Sequence, residues 1–77
     1  PGRWNKIADV VDFSSRSAKA LSAKIGGVAD VAVRNFPMRA EEFQKRFGFK
    51  GGDTWRVMAT SLSHPRKNVL VLLEKQP

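Results

Sequence analysis

The residue types that carry most enzymatic chemistry are sparse in this sequence and poorly spaced for it. His64 is the single histidine and precedes Pro65, and no cysteine or paired carboxylate stands near it at ligand spacing. A metal site needs several converging ligands, and a catalytic nucleophile needs an oriented base. Glu41 and Glu42 are adjacent on a predicted helix, so their carboxylates diverge. We therefore predict no catalytic and no metal-binding residue.

Motifs for cofactors and activated serines are missing from the sequence as well. No Gly-x-Ser-x-Gly elbow occurs, and no glycine-rich dinucleotide loop follows a predicted strand. We predict no cofactor-binding residue, and we do not expect these 77 residues to form an enzyme by themselves.

The composition favours the binding of a polyanion instead. Fourteen Lys and Arg stand against seven Asp and Glu, which gives a net charge of +7. Such an excess attracts nucleic acid or an anionic membrane surface, unless it serves only solubility. The candidate nucleic-acid-binding residues are Arg16, Lys19, Arg34, Arg39, Lys45, Arg46, Lys50, Arg66 and Lys67.

Two groups of these candidates have competing explanations. Arg34 could contact phosphate, or it could pair with Asp53 or Glu41 and fix the loop that follows. Trp4 and Trp55 could stack on unpaired bases, although tryptophan is highly buried on average and both also suit a core. The sequence leaves these alternatives open.

The first half of the chain predicts a strand, a helix and a second strand. Arg3 to Phe13 contains apolar residues at a spacing that fits neither a strand nor a helix cleanly, and we interpret it as a strand with an irregular start. Ser14 and Ser15 can cap a helix whose apolar face is Ala18, Leu21 and Ile25, and Gly26-Gly27 ends it. Val28 to Arg34 then alternates between apolar and other residues, as a half-buried strand does.

The second half predicts one helix and two strands. Asn35-Phe36-Pro37 breaks the preceding strand, and Ala40, Phe43 and Phe47 form a helical apolar face that ends at Gly48. Phe49 to Asp53 is predicted to be a turn, in which glycine supplies a positive φ, although Gly51-Gly52 could instead cradle a phosphate. Thr54 to Leu62 is predicted to be a strand. His64 to Asn68 is predicted to be a hairpin loop that carries Arg66 and Lys67.

The last apolar run completes the expected fold. Val69 to Leu73 is uninterrupted, which indicates a strand covered on both faces or placed centrally. The fold class is α/β (α+β), with the order β-α-β-α-β-β and two helices on one face of a sheet of about four strands. Residues 1–77 form a single domain. No apolar run reaches the roughly 20 residues that a membrane span needs.

The motifs Val33-Arg34-Asn35-Phe36-Pro37-Met38, Ala40-Glu41-Glu42-Phe43 and Gly51-Gly52-Asp53-Thr54 carry a resemblance. The sequence resembles the THUMP-like domain at the C-terminal end of some bacterial S-adenosylmethionine-dependent methyltransferases. That domain typically reads R-N-F-P-L-S-A-E-E-L, followed by a basic helix, a G-G-D turn and two closing strands. From Val28 to Lys75 the sequence matches the motifs of the family. Before Val28 only the order of the predicted helices and strands matches.

The resemblance implies an accessory domain that helps a methyltransferase engage RNA. Its partners would be RNA and the N-terminal methyltransferase domain of the same chain, with no membrane and no metal. S-adenosylmethionine would bind to that other domain, not to these residues. The resemblance also implies a bacterial, cytoplasmic protein. The chain begins Pro1-Gly2 without Met, so we expect a domain excised from a longer protein.

The sequence departs from the family's pattern after the proline. Met38 and Arg39 stand where the family has leucine and serine, which removes a helix cap of about 1 kcal/mol. A cation at the start of a helix opposes the macrodipole. Either an anion binds there, or the site tolerates the arginine.

A docking role is the alternative function. The domain could pack on its own catalytic domain or on a protein partner without touching nucleic acid. The contact would use the run Val69 to Leu73 and the exposed side of Trp55, and it predicts an exposed apolar patch.

Overall fold

A computed structural model of the chain describes residues 6–52, 54–63 and 66–74. Its element order is β1 (Lys6–Asp12), α1 (Ser15–Lys24), β2 (Asp30–Arg34), α2 (Ala40–Phe47), β3 (Trp55–Ser63) and β4 (Arg66–Glu74). This order confirms the predicted β-α-β-α-β-β arrangement and the α+β class. Arg3, Trp4, Asp53 and His64, which were singled out above, lie outside the described residues.

The four strands form one sheet in the order β1-β4-β3-β2. β4 lies antiparallel to both β1 and β3, whereas β2 and β3 are parallel. β4 is therefore central, as its apolar run predicts. The carboxyl ends of β1, β2 and β3 meet the start of β4 at one end of the sheet, and α1 and α2 both begin there. We call this end the carboxyl edge.

Reciprocal serine hydrogen bonds fix the start of α1. The Ser14 hydroxyl accepts from the Ser17 backbone N–H at 3.0 Å, and the Ser17 hydroxyl accepts from the Ser14 N–H at 2.9 Å. These bonds satisfy donors that a helix start leaves unpaired. The helix ends before Gly26 and Gly27, whose φ values are +72° and +74°. Both boundaries agree with the predicted cap and stop.

The core lies between the two helices and one face of the sheet. Leu21 of α1 and Phe43 of α2 are buried against Val57, Leu70 and other residues of that face. Phe43 is fully buried, and its ring lies within 4.9–6.2 Å of the rings of four other phenylalanines, namely Phe13, Phe36, Phe47 and Phe49. Such ring pairs add stability beyond the apolar area that they bury.

Part of the predicted turn after α2 belongs to the core. Phe49 is buried and stacks on Phe43 with ring centroids 5.6 Å apart, so the expectation of a turn from this residue is wrong. Gly51 and Gly52 do not have the positive φ that the predicted turn requires. Gly52 suits its position for a different reason, since a Cβ there would meet Cγ1 of the Val28 side chain unless that side chain moved. A close approach of two chain segments, rather than a left-handed turn, explains this glycine.

The hairpin between β3 and β4 is tighter than predicted. β3 extends to Ser63 and β4 begins at Arg66, with Ser63 and Arg66 paired across the strands. Arg66 and Lys67 therefore lie in a strand, and their placement in a loop is wrong. The pairing of β3 with β4 continues past Leu62 to Ser63. The polar residues at the end of β3 are therefore hydrogen-bonded strand residues and not part of a loop.

β1 is an edge strand with an interruption in its pairing. Ile7 pairs with Leu73 and Asp9 with Leu72, so Ala8 is an extra residue in the ladder and forms a bulge. No helix among the described residues is long and apolar enough to cross a membrane.

The phenylalanine cluster predicts the response to truncation of its central ring. Replacing Phe43 with Ala should lower the free energy of unfolding by about 3–5 kcal/mol, because the lost transfer energy and the cavity add. Urea titration followed by circular dichroism measures the change. Lys45→Ala, on the exposed side of the same helix, should change stability by less than about 0.5 kcal/mol. Equal effects of the two changes would contradict this account of the core.

Candidate nucleic-acid interface

Most of the predicted cations have no carboxylate within ion-pair distance in the described parts of the chain. Two of the nine are paired: Arg46 lies 3.5 Å from Glu42, and Lys67 lies 3.3 Å from Asp12. The other seven are Arg16, Lys19, Arg34, Arg39, Lys45, Lys50 and Arg66. All seven are exposed. The excess charge is therefore presented to solvent rather than neutralised within the domain.

The topology divides these cations between the two ends of the domain. Five lie at the carboxyl edge: Arg34 ends β2, Arg66 and Lys67 begin β4, Arg39 precedes α2, and Arg16 lies in the first turn of α1. The opposite end carries Lys45, Arg46 and Lys50, at and after the end of α2. Lys19 lies midway along the exposed side of α1. The fold therefore brings one part of the predicted set together and keeps the other part apart from it.

Two of the cations of the carboxyl edge, Arg66 and Lys67, line a groove of about 600 Å³. Its lining residues are Val33, Asn35, Phe36, Pro37, Ser61, Arg66, Lys67 and Asn68. This set combines an apolar floor, three neutral hydrogen-bonding side chains and two cations, and it contains no carboxylate. The volume lies within the range of about 300–1,000 Å³ typical of ligand pockets. The groove can hold an anionic ligand that also has a flat apolar part.

The Arg-Asn-Phe-Pro segment forms one wall of this groove. Asn35 has a φ of +52° and is the one non-glycine residue with a positive φ in the described ranges. Asparagine tolerates this left-handed conformation better than most residues, and such strained positions occur often at functional sites. Phe36 is half-buried and anchors the segment, because its ring meets Phe13 edge-on with centroids 4.9 Å apart.

The structure decides several of the alternatives for individual residues. Arg34 makes no ion pair with Glu41, so that expected lock is wrong, and Asp53 lies outside the described residues. Trp55 is half-buried against the core on the helix-covered face of the sheet. This position favours its structural explanation over base stacking. Arg39 precedes α2 without a side-chain bond to the helix start, as the missing serine predicts.

The other face of the sheet carries no helix, and we call it the helix-free face. The strand registers place these residues on it: Ile7, Val10, Asp12, Asp30, Ala32, Arg34, Arg56, Met58, Thr60, Leu62, Lys67, Val69, Val71 and Leu73. Trp55 is not among them, so the expectation that Trp55 and Val69 to Leu73 share one docking contact is wrong. Alternate residues of β4 face the helices or the helix-free face, and Trp55 lies on the side that the helices cover.

No group of three or more metal-ligating side chains occurs among residues 6–52, 54–63 and 66–74. Ser61 and Asn68 of the groove were not predicted, because the sequence places Ser61 in an ordinary strand and Asn68 in a loop, whereas Asn68 lies in β4. Their direct pairing across β3 and β4 places both beside Asn35. The one signal that could have found them is the register of the closing hairpin.

The sequence as a whole matches a known family of domains. The sequence profile of the THUMP domain-like family matches residues 2–75, which is nearly the whole chain. The chain belongs to the THUMP domain-like family. This finding confirms the resemblance drawn from the Arg-Asn-Phe-Pro and Gly-Gly-Asp motifs. No curated protein matches the sequence.

A solved structure resembles this THUMP-like domain. The crystal structure of a "putative methyltransferase from Porphyromonas gingivalis W83" superposes with a TM-score of 0.77 at 30% sequence identity. The match covers 92% of the THUMP-like domain and 17% of the Porphyromonas gingivalis chain. The THUMP-like domain thus spans about a sixth of the length of the protein that it matches.

The left-handed position of Asn35 yields a test of the groove wall. Asn35→Ala should lose about 1 kcal/mol more stability than Asn35→Gly, because a Cβ is disfavoured at positive φ unless the side chain can bond locally. Urea unfolding of both variants measures the difference. At Ala23, within α1, the order of stability should reverse. The free energy of unfolding of Ala23→Gly should be about 1 kcal/mol lower than that of the native protein. If Asn35→Ala were more stable than Asn35→Gly, the left-handed backbone conformation of Asn35 would be contradicted.

Proposed function

We propose that this THUMP-like domain is the RNA-binding accessory domain of a bacterial, cytoplasmic S-adenosylmethionine-dependent methyltransferase. The observation that carries the proposal is the groove at the carboxyl edge, which is lined by Asn35, Phe36, Arg66 and Lys67 and by no carboxylate among the described residues; Arg66 has no carboxylate partner there, whereas Lys67 is paired with Asp12. Family membership and the likeness to the Porphyromonas gingivalis protein support the connection to methyl transfer.

The groove and its surroundings fit the two chemical parts of a nucleotide. Arg66 and the nearby Arg34 are exposed and have no carboxylate partner in the described ranges, so their guanidinium groups are available to phosphates. Asn35, Ser61 and Asn68 offer donors and acceptors that an unpaired base or a ribose hydroxyl can use. Phosphate contacts fix position, and base contacts provide what sequence preference there is.

The division of labour follows from the residues that are present. No group of three or more potential metal ligands occurs among the described residues, and the sequence predicts no catalytic residue, whereas methyl transfer requires a bound methyl donor beside its acceptor. In our proposal S-adenosylmethionine binds to another domain of the same polypeptide. The THUMP-like domain supplies affinity and orientation for the RNA, so that the reacting nucleotide reaches that site.

The salt dependence of RNA binding tests this function. Removing Arg34 and Arg66 together, as Arg34→Gln and Arg66→Gln, should weaken binding of the 77-residue chain to a hairpin RNA with a single-stranded tail. The slope of log K against log salt should become shallower by about 1.4, because each phosphate contact on a single strand contributes about 0.7. Fluorescence anisotropy over a salt series measures both quantities.

A matched pair of substitutions controls for net charge. Lys6→Gln and Lys24→Gln remove the same two charges, but both lysines are ion-paired, with Glu74 at 4.0 Å and Asp9 at 3.4 Å. This control should leave the slope nearly unchanged. RNA affinity that does not vary with salt, or equal losses in the two double variants, would refute binding at the carboxyl edge.

A further inference from the structure

The middle of the helix-free face is apolar, and its apolar surface is exposed to solvent mainly along the outer strand β1, since Val69 and Leu73 of β4 are buried by their neighbours. Val10 of β1, Val71 of β4, Met58 of β3 and Ala32 of β2 form one row across all four strands. Val10 is 54% exposed, and Ile7, in the next row, is 62% exposed. A contiguous apolar patch on a small domain marks an interaction surface. A sheet with one bare apolar face is completed when a second layer covers it.

We propose that this face docks against an apolar surface of the remainder of the same methyltransferase polypeptide. The proposal rests on the proposed function, since it requires a larger protein around the THUMP-like domain. The domain corresponds to 17% of the Porphyromonas gingivalis chain, so a protein of that design has a large remainder to supply the covering layer. The docked arrangement would hold the RNA groove at a fixed distance from the methyl donor.

The charges at the margin of the face fit a protein partner better than RNA. Arg56 donates two hydrogen bonds to the Asp30 carboxylate, at 2.9 and 3.1 Å, and Lys67 pairs with Asp12 at 3.3 Å. These two cations are matched by carboxylates on the same face, which leaves Arg34, at the carboxyl edge, as the cation of this face without a carboxylate partner in the described ranges. The face also carries no aromatic residue among its described positions, so it offers no stacking platform for bases. An apolar centre with a polar margin is the usual anatomy of a protein interface.

A second copy of the chain is a poorer occupant than the remainder of the polypeptide. Each copy carries a net charge of +7, so two domains brought face to face repel each other. A covering layer within the same polypeptide also has a high effective concentration, which lets a modest patch suffice. Val33, Ser61 and Asn68 line the groove from the helix-covered side of the sheet, so docking over the row of Val10 leaves the groove open, and Arg34 lies in the adjacent row at the border of the two surfaces.

The absence of cysteine from the sequence provides a sharp test. Val10→Cys introduces a thiol on the outer strand of the helix-free face, in its apolar row, and Ala23→Cys introduces one on the exposed side of α1. Alkylation of each thiol is followed by mass spectrometry of its peptide, in the 77-residue chain and in the full-length protein that contains it. We expect the thiol of the Val10→Cys variant to be alkylated at least about tenfold more slowly in the full-length protein than in the isolated domain, because the core of an interface excludes the reagent. The thiol at Ala23 should react equally in both.

Each outcome of this experiment decides the docking proposal separately from RNA binding. Equal reactivity of the Val10→Cys thiol in the two proteins would overturn the docking. Protection already present in the 77-residue chain, rising with its concentration and accompanied by dimers in sedimentation, would assign the face to a second copy and also overturn it. Salt-dependent RNA binding measured on the same samples reports on the proposed function, whichever result the thiol gives.

Discussion

The pairing of β4 on both sides is the constraint on which the rest of this structure depends. Val69 to Leu73 is apolar at every position, and its backbone is satisfied by β1 on one side and β3 on the other. Leu70 and Leu72 are fully buried beneath the helices. Val69, Val71 and Leu73 necessarily point the other way, because side chains alternate along a strand. One strand therefore builds both the core and the apolar face that we assign to docking.

The same topology creates the groove to which we assign RNA binding. Because β2 and β3 run parallel, α2 must cross back over the sheet, and the Arg-Asn-Phe-Pro segment turns the chain at the carboxyl edge. The antiparallel hairpin returns β4 to that edge, so Arg66 arrives beside Asn35 although they are far apart in sequence. The phenylalanine cluster below keeps this wall in place through Phe36. The shape of the groove thus depends on a phenylalanine cluster of which Phe36 is the one member in its lining.

Most of the local structure could be predicted from the sequence, but the way in which distant residues come together at the site could not. The caps and apolar periods of α1 and α2, and the central position of β4, follow from local patterns that tertiary contacts did not override. Phe49 was missed because its glycine-rich surroundings predict a turn, whereas burial against Phe43 decides its place. The register of the β3–β4 hairpin cannot be deduced from the pattern on either side of His64-Pro65. The contributions of Ser61 and Asn68, and the separation of Trp55 from Val71, depend on that register.

The bulge at Ala8 has a consequence for the behaviour of the domain in solution. β1 is an outer strand, and an uninterrupted outer strand can template the addition of strands from other molecules. The mismatch between Ile7 and Asp9 breaks the regular spacing of its peptide groups, so an incoming chain cannot extend the ladder along its full length. The opposite outer strand, β2, has only five residues, with Asp30 and Arg34 at its ends. Both borders of the sheet therefore resist aggregation, although one of its faces is apolar.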